Sequence, residues 1–273
     1  MCIVDLFTLM SNSDKYIKHD SLKLKIKEKI GEGSLGLVFL LENGDILKIY
    51  KNSVAGSAKL IESKSILPEK NENREIQLFF KIIKFKINEE GIVKPLSLGI
   101  VYNELVFEDT VICKDTYYSI LPFYEKVSKE ILVKYNLYDL ILEIINSELS
   151  IEKYLRVYHL DITLENLVMY DDKLMLIDYN LTKSIGSGEQ SVNSNHFNTD
   201  ERCKLKLIPL YYIFLLIISL LFNTKKIYFN DKLLVNYLYI LSKKLKKNVY
   251  SLIYNGLSLN YDVVTFYSKF ISA

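Results

Sequence analysis

From Leu22 to Ile30 the chain alternates apolar and basic residues (LKLKIKEKI), a period of two that predicts a β-strand with one buried face. Gly31 to Gly36 interrupts the pattern, and Leu37 to Leu41 resumes an apolar run, giving strand, glycine loop, strand. Asn43-Gly44 is a two-residue hairpin signal, because a type I′ turn needs positive φ at both positions, and Asp45 to Tyr50 reads as the return strand. The period then lengthens. Between Asn73 and Phe85 the apolar residues Ile76, Phe79, Phe80, Ile82 and Ile83 recur at helical spacing, with Glu75 and Lys81 among the polar positions. Ile92 to Val101 and Tyr117 to Leu121 read as two more strands, and Leu137 to Tyr154 as a helix burying Leu140, Ile141, Ile144 and Ile145. Ser184 to Asn198 has no periodicity and reads as a mobile loop. The order is a sheet with one helix followed by a mainly helical half, an α+β chain.

Leu207 to Phe222 supplies 16 residues of apolar sequence, short of the roughly 20 that a membrane span needs. A buried core helix is expected there, with Pro209 near its start, where a missing N–H is tolerated. The length of 273 residues suits one catalytic unit of two lobes rather than two large domains. Lys plus Arg (35) against Asp plus Glu (33) gives no bulk electrostatic reason to expect a nucleic-acid partner. Cys2, Cys113 and Cys203 are odd in number and lack CxxC spacing, which argues against a disulfide framework and a zinc site. The first ten residues carry Asp5 and no basic leader, so a cytoplasmic location is expected.

Gly31-Glu32-Gly33-Ser34-Leu35-Gly36 places three glycines where main-chain N–H groups can approach phosphate oxygens with no Cβ in the way. An ordinary glycine-containing hairpin is the plain alternative. A dinucleotide-binding turn would need a helix directly after the loop, and here a strand follows. Lys48 lies on the third strand, where its ammonium can hold phosphates if the pleat turns it inward; otherwise it is one more solvent-facing lysine. Further along, Tyr158-His159-Leu160-Asp161-Ile162-Thr163-Leu164-Glu165-Asn166 precedes an apolar run, an Asp-Asp-Lys turn, and Leu174 to Ile177 ending at Asp178-Tyr179-Asn180. H-x-D-x-x-x-x-N, a short hairpin and a following Asp bring a carboxylate, an amide and a second carboxylate to one region, the groups that phosphoryl transfer needs.

These residues resemble the protein kinase superfamily over about Leu22 to Phe222, in the short form carried by large DNA viruses or delivered by bacteria as effectors. The resemblance implies a two-lobed fold: an extension over 1–21, an N-lobe of antiparallel sheet plus one helix over 22–122, and a reduced, mainly helical C-lobe over 123–273. It implies that Gly31, Gly33, Ser34 and Gly36 cover the phosphates of ATP, with Val38, Leu121, Pro122, Tyr124 and Val168 around the adenine. It makes Lys48 the phosphate-aligning lysine, Glu75 its helix partner with Glu72 as the fallback, Asp161 the catalytic base, and Asn166 and Asp178 the Mg²⁺ ligands. His159, Tyr179 and Phe79 match the column that couples the helix to the catalytic loop. A Ser/Thr protein kinase acting on a protein substrate is implied, with an activating protein partner as a further expectation and the host cytoplasm as its place if viral or effector.

Several positions depart from the family. Ile46 replaces a small residue and narrows the adenine pocket; Leu160 replaces the arginine that pairs with a loop phosphate, so activity should not need loop phosphorylation. Thr163 stands where a lysine near the γ-phosphate is usual, and Asn180 replaces the glycine of D-F-G, a position where Asn tolerates positive φ. No A-P-E follows. These departures motivate the alternative of a pseudokinase acting as a nucleotide- or partner-binding scaffold. A small-molecule kinase of the aminoglycoside or choline type shares H-x-D-x-x-x-x-N but needs helical insertions that the 95 residues after Asp178 leave little room for.

Overall fold

A computed structural model describes residues 2–11, 21–33, 36–54, 73–101, 104–107, 110–112, 116–128, 131–132, 136–185 and 263–272, with scattered positions between 209 and 243. It is an α+β chain that divides into two compact units, Met1–Asn88 with Val93–Tyr124, and Glu89–Ile92 with Glu125–Ala273.

The first unit is built on antiparallel strands: β1 (Cys2–Ser11), β2 (Ser21–Glu32), β3 (Gly36–Leu41), β4 (Ile46–Val54), β5 (Ser97–Val101), β6 (Leu105–Phe107), β7 (Thr110–Ile112) and β8 (Thr116–Leu121). Six of them pair in the order β1-β2-β3-β4-β8-β5, and β1 also pairs with β5, so the ladder closes on itself; β6 and β7 form a separate hairpin. The sequence reading assigned no element to 2–11. Alternation does the sorting within the strands. Phe39, Leu41, Leu47, Ile49, Tyr118 and Ile120 fill one core, while Tyr50, Tyr117, Leu98 and Ile100 face the other way, packed with Ile76, Phe80 and Ile83 of helix α1 (Arg74–Lys84). Asn73 caps α1, its side-chain oxygen accepting from the Ile76 N–H at 3.2 Å.

Two details differ from the sequence reading. The β3–β4 turn is not type I′: Gly44 has φ of +92° and Asn43 is not among the positive-φ residues. The Gly44 N–H donates to the Leu41 carbonyl and the Leu41 N–H to the Asp45 carbonyl, so three residues form the loop, with Gly44 alone left-handed. Asn43 uses its side chain instead, accepting from the Asp45 N–H at 3.2 Å, which removes any need for positive φ there. The strand expected from Ile92 begins only at Ser97, because Pro95 has no N–H to give to a ladder.

The second unit holds β9 (Glu125–Lys126), helix α2 (Leu137–Ser150), β10 (Val157–Tyr158), β11 (Leu167–Tyr170), β12 (Lys173–Leu176), β13 (Lys183–Ser184) and helix α3 (Val263–Ser272), which packs on α2. α2 stops four residues before the expected Tyr154 and passes into a π turn, Ile151–Leu155, closed by Arg156 in the left-handed region. β12 is an edge strand of the sheet β12-β11-β9. Its outward donors are capped by α2: the Leu174 N–H by Glu143 Oε2 at 3.0 Å and the Leu176 N–H by Ser147 Oγ at 3.1 Å. Pro209, Tyr212, Ile213, Leu216 and Ile217 are helical and buried; the remainder of the apolar run 207–222 lies outside the described residues, as does most of the expected loop 184–198. Among the described residues no helix is long and apolar enough to cross a membrane.

Candidate functional site

The candidate residues fall into two groups, one in each unit. In the first, the β3–β4–β8 register sets Lys48 between Val38 and Ser119, and Ile46 beside Leu121. All five therefore share one face of the sheet, the face on which α1 packs. Lys48 Nζ lies 2.5 Å from Glu75 Oε2, and the two side chains are only 13% and 2% exposed. This pair is held by position rather than chance. Glu75 sits in the first turn of α1, where the helix dipole favours an anion. Beside it, the Tyr50 hydroxyl and Ser119 Oγ share a hydrogen bond of 2.9 Å, and Lys48 Nζ stands 5.4 Å from the Tyr50 ring centre.

Of the glycines, Gly36 is sterically required, since a Cβ there would meet the Ile49 carbonyl oxygen at 2.9 Å. Gly33 is different: among the described residues a Cβ would meet nothing within 4 Å, and its N–H donates to the Gly36 carbonyl at 2.9 Å. Gly31 pairs with Val38 in the β2–β3 ladder. Ser34 and Glu72 lie outside the described residues. Leu121 ends β8 and is buried; Pro122 and Tyr124 are half-buried in the stretch without regular structure that follows.

In the second unit, the Asp161 loop is tied down on both sides. Asn166 Nδ2 donates to the Asp161 main-chain carbonyl at 2.9 Å and to its carboxylate at 2.8 Å. The Asn166 carbonyl accepts from the Ile177 N–H at 2.9 Å, joining the loop to the residue before Asp178. His159 makes a second link. The Asp161 N–H donates to its Nδ1 at 3.3 Å, so Nε2 carries the proton and donates to the Ile177 carbonyl at 2.9 Å. Burial pushes the imidazole below its usual range, outweighing the raising effects of the Ile177 hydrogen bond and of Asp161 and Asp178. A neutral ring with one fixed tautomer fits both contacts. Tyr179 packs edge-on against it, ring centres 5.8 Å apart. Phe79 is buried in the first unit.

Asp178 adopts φ of +65° and ψ of +75°, a backbone unusual for a non-glycine residue. Asn180, whose tolerance of positive φ makes it a mild replacement, is not among the positive-φ residues: it lies in a one-turn 3₁₀ helix, and its side-chain amide donates to Asp178 Oδ1 at 2.5 Å. Leu160 is buried, Thr163 half-buried, and Val168 is buried in β11 opposite Met175.

Metal fit can be judged from the donors. Using Nδ2 on Asp161 leaves Asn166 with Oδ1, the end of an amide that ligates cations, and Asp178 adds a carboxylate. Two hard oxygen ligands suit Mg²⁺ bound together with phosphates.

Sequence reading did not identify Glu148, Ser147 or Tyr50 as part of this framework. Ser147 Oγ donates to the Gly91 carbonyl at 2.9 Å while accepting from Leu176, and Gly91, at φ +80°, has no room for a Cβ beside Ser147. Glu148, wholly buried, accepts from the His159 N–H at 3.0 Å. The signal for Glu148 was present: Ile141, Ile145, Glu148 and Glu152 continue one helical stripe, and acidic residues on a buried stripe are uncommon. Neither the models of known protein families nor the curated proteins give a match to this chain, so the geometry of these residues is what bears on its function.

Proposed function

We propose that this chain is a protein kinase of two-lobed, kinase-like architecture, transferring the γ-phosphoryl of Mg-ATP to a serine or threonine hydroxyl of a protein. The observation that carries this reading is the double clamp on Asp161: its carboxylate and carbonyl held by Asn166, its N–H by His159. A general base must be held in place before the hydroxyl arrives, and such a clamp is how a flexible loop does so. The buried Lys48–Glu75 pair supports the same reading, because the carboxylate steers a cation that phosphates would otherwise have to organise.

In this reading Asp161 orients the acceptor hydroxyl and takes its proton as the oxygen attacks the γ-phosphorus and the bond to the ADP oxygen breaks. Lys48 aligns the α- and β-phosphates, and the Gly31–Gly36 loop covers them. Asn166 and Asp178 would hold Mg²⁺, which supplies charge neutralisation on the phosphate oxygens. With Leu160 buried, no arginine follows His159 to read a phosphorylated loop, so turnover without prior loop phosphorylation is expected.

The scaffold alternative keeps one specific support, the Asn180 amide already bonded to Asp178 Oδ1, which competes with a metal for that oxygen. Thermal unfolding with and without Mg-ATP tests the binding half of the proposal. A ligand bound only by the folded chain raises the melting temperature, by an amount that grows with the logarithm of its concentration above Kd. An increase that requires both Mg²⁺ and ATP supports the assignment, and no increase at millimolar Mg-ATP rejects it.

A further inference from the structure

We propose that Glu148 is a positioning residue for the Asp161 loop, acting through its hydrogen bond to the His159 main-chain N–H; this rests on the phosphotransfer reading. Glu148 lies on the buried stripe of α2 with no exposed surface. Its Oε1 accepts from His159, and its Oε2 is buried without a hydrogen-bond partner among the described residues. Packing alone does not call for a carboxyl there. Ile141, Ile144 and Ile145 on the same helix are fully buried, and an apolar side chain of similar length would fill the space without the desolvation cost of a polar group.

What the carboxyl provides is a fixed acceptor for a buried N–H two residues before Asp161. His159 then passes that anchorage on, through Nδ1 to the Asp161 N–H and through Nε2 to the Ile177 carbonyl. One rigid helix thereby fixes the main chain leading to both carboxylates. The next turn carries Glu152, also buried, and burial together with Glu152 pushes the Glu148 carboxyl well up, against the lowering effect of the His159 bond. An acceptor oxygen at this position is the required feature, and glutamine supplies one in the same shape.

The test uses the full chain as Glu148→Gln, Glu148→Leu and Glu148→Ala, with ADP formation, KM for ATP, Mg-ATP affinity and melting temperature measured on each. The expected result is a split. Glu148→Gln keeps kcat within about threefold, whereas Leu and Ala lower kcat by about tenfold or more with KM for ATP and Mg-ATP affinity little changed. A folded Glu148→Leu chain with wild-type kcat overturns the proposal, as does an equal loss in Gln and Leu. Failure of both Leu and Ala variants to fold overturns it too, since the residue is then only a stability element. Wild-type chain that binds Mg-ATP without turnover removes the phosphotransfer reading itself, and this proposal with it, which an unchanged Leu variant of an active enzyme would not do.

Discussion

Asn166 Nδ2 lies within hydrogen-bond distance of two oxygens of Asp161, the carboxylate at 2.8 Å and the main-chain carbonyl at 2.9 Å. One amide therefore fixes both the acid group and the backbone that carries it. Replacing it, Asn166→Ala, should release the carboxylate and, in the proposed function, remove a metal ligand together. The expected outcome is a fall in kcat of about 100-fold or more and a higher Mg²⁺ requirement, with melting temperature lowered only slightly because Asn166 is not buried. Steady-state rates across a Mg²⁺ titration check this; an unchanged Mg²⁺ dependence would remove Asn166 from the ligand set.

The Lys48–Glu75 pair makes a prediction about stability as well as binding. Removing one partner of a buried pair strands the other charge, so Glu75→Ala should cost about 3 kcal/mol. Denaturant unfolding measures it. Lys48→Met removes the cation from an anion that the helix terminus also favours; it should weaken Mg-ATP binding more than it weakens the fold. A Lys48→Met chain that retains full nucleotide affinity contradicts the phosphate role.

Gly33 and Gly36 separate ligand effects from fold effects. Gly36→Ala drives a Cβ against the Ile49 carbonyl and should lower stability by about 1–3 kcal/mol, with or without nucleotide. Gly33→Ala meets no neighbour among the described residues, so its melting temperature should match wild type in the absence of ligand. Any loss of Mg-ATP affinity in Gly33→Ala then reports close approach of phosphate to that position. Identical affinity would mean that the loop does not cover the nucleotide there.

Stability should depend on pH through Glu148. Its folded carboxyl titrates above the ordinary range, owing first to burial and then to Glu152, so the folded chain holds this proton more tightly than the unfolded one. The stabilising contribution is full below the unfolded value of about pH 4.3 and is lost as pH rises through the folded value. Glu148→Gln carries no such proton. Its melting temperature relative to wild type should therefore increase as pH is raised from about 5 to about 8. His159, lowered by burial, acts oppositely, since its contribution is present above about pH 6.5 and lost as pH falls through the folded value. Both chains share His159, so the difference reports Glu148 together with its coupling to Glu152. A pH-independent offset would contradict the assignment.

The sheet and α1 were legible because their faces are sorted by simple periods. Leu47 and Ile49 go one way and Lys48 and Tyr50 the other, which settles the direction of the lysine that sequence alone left conditional on the pleat. Asn43-Gly44 was read as the wrong turn because Asn43 closes the loop with its side chain, a contact that no φ preference announces. The end of α2 was misplaced for a similar reason: the apolar stripe continues through the π turn, and only the hydrogen-bond spacing changes.

The candidate site residues were legible as types and spacings, and their supports were not. Asp161, Asn166 and Asp178 announce themselves by chemistry, whereas Ser147 and Glu148 are recognisable only once α2 is seen lending side chains to β12 and to the His159 main chain. Such contacts join residues 11 and 29 positions apart and leave no periodic trace. Asn180 shows the converse. A residue read for its backbone tolerance works through its amide, and the positive φ is at Asp178.

The central claim is phosphoryl transfer driven by Asp161, and intact-mass measurement of acceptor proteins incubated with Mg-ATP and either wild-type or Asp161→Asn chain tests it most directly. Wild type should add phosphoryl groups to serine or threonine, while Asp161→Asn, folded and still binding Mg-ATP, should add at least about 100-fold fewer per unit time. Equal phosphorylation by the two chains, or none by a wild type that binds Mg-ATP, would contradict it.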